Sequence, residues 1–313
     1  MITSGENTGM ISKKENTEDK KMLYTIESKK VKVEISDLGG ELMSIQTKAD
    51  GCEYLWQGDP KYWASRACVL FPICGRLVDG YYTYEGNKYE MELHGFIRRR
   101  VMTVAEQKAD SITFEFRADE ESKKIYPFDF TFRITYTIDG NKLLNSFTVV
   151  NHGDGVLPYA VGGHPGFNVP LDKNDKFEDC YLSFGEKCQP EMFLLSPTCF
   201  LNGDTAPFAL KCGTRRPLTH DMFDDDAIFL KNMAKSVSIK SKNSKKSVTV
   251  EFPDFDYVGF WHARNSDAPF VCIEPWTGLP GTDGKVDDFA TKQAMKYLDG
   301  GKSTTYEFTV TVK

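Results

Sequence analysis

Phe130-Thr131-Phe132-Arg133-Ile134-Thr135-Tyr136-Thr137-Ile138 is apolar at every even position and polar at every odd one between them. A period of two belongs to a β-strand with one buried and one wet face, and aromatic and β-branched residues suit that pleated surface. Asp139-Gly140-Asn141 reads as a turn, and the β-branched run Lys142 to Asn151 returns as the second arm of an antiparallel hairpin. The same signature recurs at Val31 to Ile35, Ile112 to Phe116, Val237 to Lys240, Ser247 to Phe252, Tyr257 to His262, Phe270 to Glu274 and Thr304 to Val312. Helical signal is confined to short candidates at Pro60 to Ala64 and Asp287 to Lys296, the second with Asp287 and Asp288 in its first turn. Many strands, with no Pro/Gly/Ser linker and no repeat, predict an all-β fold. The expected form is one large antiparallel β-sandwich domain over residues 22–313. Residues 1–21 are polar and Lys/Glu/Asn/Thr-rich, and read as a disordered tail that Met22, an alternative start, would leave behind.

The 313 residues are 40% hydrophobic, with 22 Phe and 14 Tyr to fill a core. A formal net charge of −6 argues against a nucleic-acid or anionic-membrane partner, which would call for a basic patch. Lys242 to Lys246 is basic but reads as a solvated hairpin tip. The eight cysteines lie far apart with no Cys-x-x-Cys pair, in a chain much larger than disulfide-dependent domains, so reduced thiols and a cytoplasmic location are expected. No apolar run is long enough to span a membrane, and no signal-peptide pattern opens the chain. The five histidines and eight cysteines never reach a recognised ligand spacing, so no metal is expected. Oligomeric state leaves no mark in the sequence.

Ala160-Val161-Gly162-Gly163-His164-Pro165-Gly166-Phe167 holds a histidine between glycines and a proline after a strand-like run. Pro165 biases His164 toward extended backbone, and the imidazole so aimed is a candidate acid or base; the plainer reading is a turn histidine closing a strand. His94 repeats the setting in Leu93-His94-Gly95-Phe96, and Arg76 interrupts the apolar run Phe71 to Leu77 with planar donors suited to hydroxyl or carboxylate oxygens. Glu274 ends the apolar strand Phe270-Val271-Cys272-Ile273-Glu274, where burial raises a carboxyl toward a useful general-base range. Trp276, two residues on, offers an aromatic face for the C–H side of a sugar. Of the acidic triplet Asp224-Asp225-Asp226 at least one looks inward. His152, His220 and His262 lack such settings and read as structural or surface residues. Phosphate-cradling glycine motifs and Gly-x-Ser-x-Gly nucleophile motifs are absent.

In order along residues 22–313, four segments resemble the aldose 1-epimerase (galactose mutarotase) superfamily. They are Pro72 to Leu77, Gly86 to Tyr89 leading to His94-Gly95-Phe96, Gly162 to Phe167, and Cys272 to Trp276. The resemblance implies a large antiparallel β-sandwich with an open sugar cleft, a small-molecule sugar substrate and no cofactor. It makes Glu274 the base that takes the anomeric hydroxyl proton and His164 the acid that protonates the ring oxygen. The ring then opens, and rotation about C1–C2 and reclosure exchange the α and β anomers. His94 and Arg76 would hold sugar oxygens, and Asp226 would match the substrate-binding aspartate, with Asp224 and Asp225 competing for that role. The galactose-specific branch carries Asn-Arg and His-Gly-Gly where this chain has Gly75-Arg76 and His94-Gly95-Phe96, which leaves the sugar open. Arg98-Arg99-Arg100 supports an alternative, a hexose-6-phosphate epimerase of the same superfamily, although on an alternating strand at least one of the three would point away. A sandwich that binds carbohydrate without converting it is the third reading, and a pure binder has no use for both His164 and Glu274. The mechanism requires those two to face one cleft, with room for a pyranose between them.

Overall fold

The computed structural model describes residues 21–313, so the tail expected over 1–21 lies outside the described residues apart from Lys21. Strands dominate, and all strand pairs of the named sheets are antiparallel. The hairpin behaves as its pattern dictates. Phe130–Asp139 pairs with Lys142–Asn151 from Asp139 opposite Lys142 to Phe130 opposite Asn151. Phe130, Phe132, Ile134, Tyr136 and Ile138 are all buried.

This hairpin sits inside a nine-stranded sheet, between Ser111–Arg117 on one side and Ser303–Val312 on the other. A seven-stranded sheet carries, in order, Leu201–Pro207, Glu191–Leu195, Ile228–Lys231, Tyr257–Trp261, Phe270–Trp276, Gly162–Asn168 and Ala67–Leu70. One continuous core takes side chains from both sheets, Ile134, Phe147 and Val310 from the first, Phe167, Val271 and Ile273 from the second. Phe270–Trp276 is buried on both faces. Val271 and Ile273 enter the main core, whereas Phe270 and Cys272 turn the other way, into a small cluster with Trp56 and Ala268. Period-two alternation therefore places Glu274 on the Cys272 side, away from the main core.

The helical expectations fail at both places. Pro60 to Ala64 is a turn, and Asp287 to Lys296 is a chain of turns. In the second, Phe289 stacks on Tyr82 and Lys292 is buried against Asp287 at 3.0 Å, so tertiary anchors rather than a helical period hold the segment. The one α-helix among the described residues is Glu120–Ile125. Asp119 caps it by accepting from the Ser122 backbone N–H at 2.7 Å, while Ser122 Oγ accepts from the Asp119 N–H at 2.9 Å. Ile97–Arg99 is a 3-10 turn, so the arginine triplet does not alternate as a strand would.

Candidate active site

The ladder between Gly162–Asn168 and Phe270–Trp276 pairs Gly162 with Trp276 and Gly166 with Cys272, a register that sets His164 opposite Glu274. On its other side His164 pairs with Cys68, and Glu274 pairs with Gly259 of Tyr257–Trp261. His164 and Glu274 thus sit side by side on two central strands, each followed by a proline, Pro165 and Pro275. Prolines donate no ladder hydrogen bond and are rare inside sheets, so this part of the sheet sacrifices pairing where its side chains face the cavity. Gly259 supplies the room: a Cβ there would lie 3.3 Å from both Cβ and Oε2 of Glu274.

His164 Nε2 lies 3.4 Å from Glu274 Oε1, with the side chains 8% and 1% exposed. Neither His164 Nδ1 nor Glu274 Oε1 has a hydrogen-bond partner. Burial holds the His164 imidazolium down to a pKa of about 3, with the Arg98 charge adding to the effect. Burial likewise pushes the Glu274 carboxyl well above its usual range, helped by the negative charge of Asp226. The resting pair is therefore a neutral imidazole beside a protonated carboxyl, two groups that share one transferable proton.

His94 occupies a turn with φ of 65°. Its ring Nδ1 accepts from the Gly75 backbone N–H at 3.1 Å, while the His94 backbone N–H donates to the Gly75 carbonyl at 2.8 Å. Burial, reinforced by His164, Arg98 and Arg76, keeps the ring neutral. With Nδ1 accepting, the proton resides on Nε2 and makes it a fixed donor. Gly95 makes the turn possible, because a Cβ there would lie 2.1 Å from the Phe71 carbonyl oxygen.

Of the three aspartates, Asp226 faces the cavity: Oδ1 accepts from Trp261 Nε1 at 3.0 Å, and Oδ2 lies 3.5 Å from Arg76 Nη2. Asp224 instead receives Arg264 on its backbone carbonyl. His164, Glu274, Arg76, His94, Asp226 and Trp276 all line one cavity of about 220 Å³. Trp276, however, is 1% exposed, covered by Phe229 and by the edge of His94. The aromatics that keep free surface in this cavity are Trp63, whose ring centroid lies 4.9 Å from that of His164, and Trp261. Sequence reading missed both, since a tryptophan beside a site looks no different from one in a core. The spacing of 3.4 Å also leaves no room for a ring between His164 and Glu274, so a pyranose would lie across the pair.

The remaining histidines have structural partners. His262 is wholly buried, lies 3.2 Å from His220 and contacts its neighbour's carbonyl, and His152 meets Thr131 Oγ1 at 2.8 Å. The fold also does what sequence spacing did not foretell, bringing the ligand atoms of His164, Cys272 and Glu274 within 4.8 Å of one another. Burial pushes the Cys272 thiol far up, so this set would have to shed protons from both Cys272 and Glu274 to hold a cation.

The model of the aldose 1-epimerase family matches residues 22–286. The plasmid-encoded protein LacX of Lactococcus lactis is 35% identical over 272 residues, 82% of this chain and 88% of that protein. Among solved structures, a galactose mutarotase related enzyme from Lactobacillus acidophilus superimposes with a TM-score of 0.89 at 35% identity, over 93% of this chain and 97% of that one. A galactose mutarotase-like protein from Lactobacillus casei gives 0.87 at 32% identity, over 93% and 100%. Fold, family model and sequence identity over most of the chain agree, and the chain belongs to the aldose 1-epimerase family.

Proposed function

We propose that the protein is a mutarotase interconverting the α and β anomers of a free aldohexose, working as one domain over residues 22–313 in the cytoplasm. The observation that carries this reading is the pairing of His164 with Glu274 at 3.4 Å on facing strands, both buried at the base of one cavity. The anomeric hydroxyl and the ring oxygen are bonded to the same carbon, so a donor and an acceptor side by side can reach both at once. Ring opening moves one proton onto the ring oxygen and one off the anomeric hydroxyl; reclosure reverses the two transfers on the other face. Throughout, the pair exchanges protons with the sugar and keeps one. In the resting site that proton sits on Glu274; the assignment of Glu274 as base and His164 as acid is the same pair with the proton moved across. General acid–base assistance of about 10²–10⁴-fold per positioned group is the scale available.

Neutral His94 donates through Nε2 to a sugar oxygen, and Arg76 and Asp226 hold hydroxyls from the opposite wall. Trp63 and Trp261 present ring faces and edges to the sugar's C–H groups. The reaction needs no cofactor. The balance of charge gives nucleic acid no purchase, and among the described residues no helix is long and apolar enough to cross a membrane.

Polarimetry on freshly dissolved α-D-glucose and α-D-galactose tests the proposal. Wild type should accelerate the relaxation, and His164→Ala and Glu274→Ala should abolish the acceleration. One observation favours a second reading, a hexose 6-phosphate substrate: Arg98 lines the cavity, has no carboxylate partner among the described residues, and buries its Nε without a hydrogen bond. Acceleration of a 6-phosphate but of neither free sugar would establish that reading. Binding without any acceleration would leave a carbohydrate-binding sandwich.

A further inference from the structure

His164 Nε2 and Glu274 Oε1 stand 3.4 Å apart, and Oε1 has no hydrogen-bond partner. That spacing is long for a hydrogen bond to nitrogen, which closes to ~2.7–3.2 Å. It matches a different geometry. Two nitrogen or oxygen ligands, each ~2.0–2.2 Å from a tetrahedral zinc ion, lie about 3.4 Å from one another.

A third ligand stands beside them. Cys272 precedes Glu274 by two residues on the strand Phe270–Trp276, so both side chains turn to the same side of the sheet. The register that sets Cys272 opposite Gly166 brings its thiol next to His164, two residues away on the neighbouring strand. Ligand atoms of all three residues fall within 4.8 Å of one another. With a zinc–sulfur bond of ~2.3 Å, closing the set asks for side-chain shifts of about 1 Å. Cys272 is wholly buried in the small cluster with Trp56 and Phe270, whereas His164 and Glu274 line the cavity. A bound ion would therefore keep its fourth position toward the cavity, open to water.

The charges also balance. A thiolate and a carboxylate together neutralise a dication, which suits a buried site where an uncompensated charge is costly. Thiolate and imidazole favour zinc over magnesium or calcium. His164 Nδ1 has no partner to fix the ring, and lack of such a partner costs metal sites ~10–100-fold in affinity. That weakness fits an ion that comes and goes.

We propose that His164, Cys272 and Glu274 form a reversible inhibitory site for zinc or another thiophilic divalent cation. Binding forms one bond each from nitrogen, sulfur and oxygen to the ion, and releases to solvent one proton from the Cys272 thiol and one from the Glu274 carboxyl. The ion then holds the imidazole lone pair and the carboxylate, so neither group can exchange a proton with a sugar. The effect on activity rests on the mutarotase reading above; the binding of the ion does not.

Full-length protein is titrated with Co²⁺, whose bond to a thiolate absorbs in the near ultraviolet, and then with Zn²⁺ as competitor. The expected result is that band at one Co²⁺ per chain, bleached by Zn²⁺ and absent in Cys272→Ala. In polarimetry on α-D-glucose, Zn²⁺ at about ten times its measured Kd should slow wild type about tenfold, and EDTA should restore the rate. Cys272→Ala should turn glucose over within about twofold of wild type and need at least about tenfold more Zn²⁺ for the same slowing, since losing a ligand costs no less than losing a ligand's outer partner. Cys272→Ser, close in volume and a poorer ligand, gives the same readings if the alanine variant does not fold. Absence of the band in wild type overturns the proposal. So does a band that survives in the variant, which marks an adventitious ion on another thiol, and so does equal Zn²⁺ sensitivity in the two proteins. A band lost in the variant, with no sugar turned over by wild type, establishes the ion site and removes the mutarotase reading.

Discussion

Replacing Glu274 by Gln separates the chemical role of this side chain from its structural one. The carboxyl is 1% exposed, its Oε1 has no hydrogen-bond partner, and burial keeps it protonated. Exchanging a neutral carboxyl for a neutral amide of the same shape removes no charge, creates no void and keeps a donor within reach of His164 Nε2. The expected change in unfolding free energy is within about 1 kcal/mol, the net scale of one neutral hydrogen bond. The amide, however, cannot deliver or accept a proton. Loss of one general acid–base group lowers kcat by about 10²–10⁴-fold. At about 1.36 kcal/mol per factor of ten, that is a rise of roughly 2.7–5.4 kcal/mol in the barrier. Urea denaturation and polarimetry on one preparation give both numbers. A variant that keeps kcat within tenfold of wild type would refute the proton-transfer role. So would one that loses several kcal/mol of stability and yet turns over normally, for then Glu274 would be a structural acid.

Activity and stability should part company with pH. His164 stays neutral in the folded protein as pH falls through its ordinary 6.5, its folded value being about 3, and Glu274 keeps its proton well above its ordinary 4.5. Neither group therefore titrates at its ordinary value, and kcat/KM should show no inflection near 6.5 from His164 or near 4.5 from Glu274. In the unfolded chain His94, His164 and His262 take up protons below 6.5 that the folded protein, holding all three neutral by burial, does not, and Glu274 offsets only one of them between its ordinary 4.5 and its raised folded value, so unfolding free energy should fall as pH drops below 6.5; an activity loss centred near 6.5 with no change in stability would contradict both statements. Gly95→Ala should cost about 3 kcal/mol or more, because the Cβ would press on the Phe71 carbonyl at 2.1 Å and φ is 74°. A shift in the urea midpoint equivalent to less than about 1 kcal/mol would show that the turn holding His94 relaxes freely.

Strands with one wet face declared themselves, and Lys142–Asn151 has the bounds its residues suggest. Their alternation records burial directly. The helix Glu120–Ile125, at under two turns, is too short to show a period, and its only mark is the cap Asp119 with Ser122. Asp287 and Asp288 look like the start of a helix, but buried Phe289 and Lys292 fix that segment from outside. His164, Glu274, Arg76, His94 and Asp226 could be found because each interrupts an apolar run or stands beside a turn residue. What could not be read was partnership. That Glu274 meets His164 across one ladder depends on a register between segments more than a hundred residues apart, and that Trp276 is covered while Trp63 and Trp261 are open depends on packing.

His164 and Glu274 stand on strands, whereas Arg76 follows Gly75 at φ 81°, His94 sits at φ 65° and Asp226 at φ 86°, all on loops and turns. On the proposed reading, proton transfer is carried by two paired strands inside the seven-stranded sheet and sugar choice by loops and turns. A loop can be exchanged, lengthened or given another charge without moving His164 relative to Glu274. The fold is in this sense a fixed tool with an interchangeable holder, and redesign of its substrate range should begin at residues 75–76, 94–98 and 224–227 and leave the central strands alone.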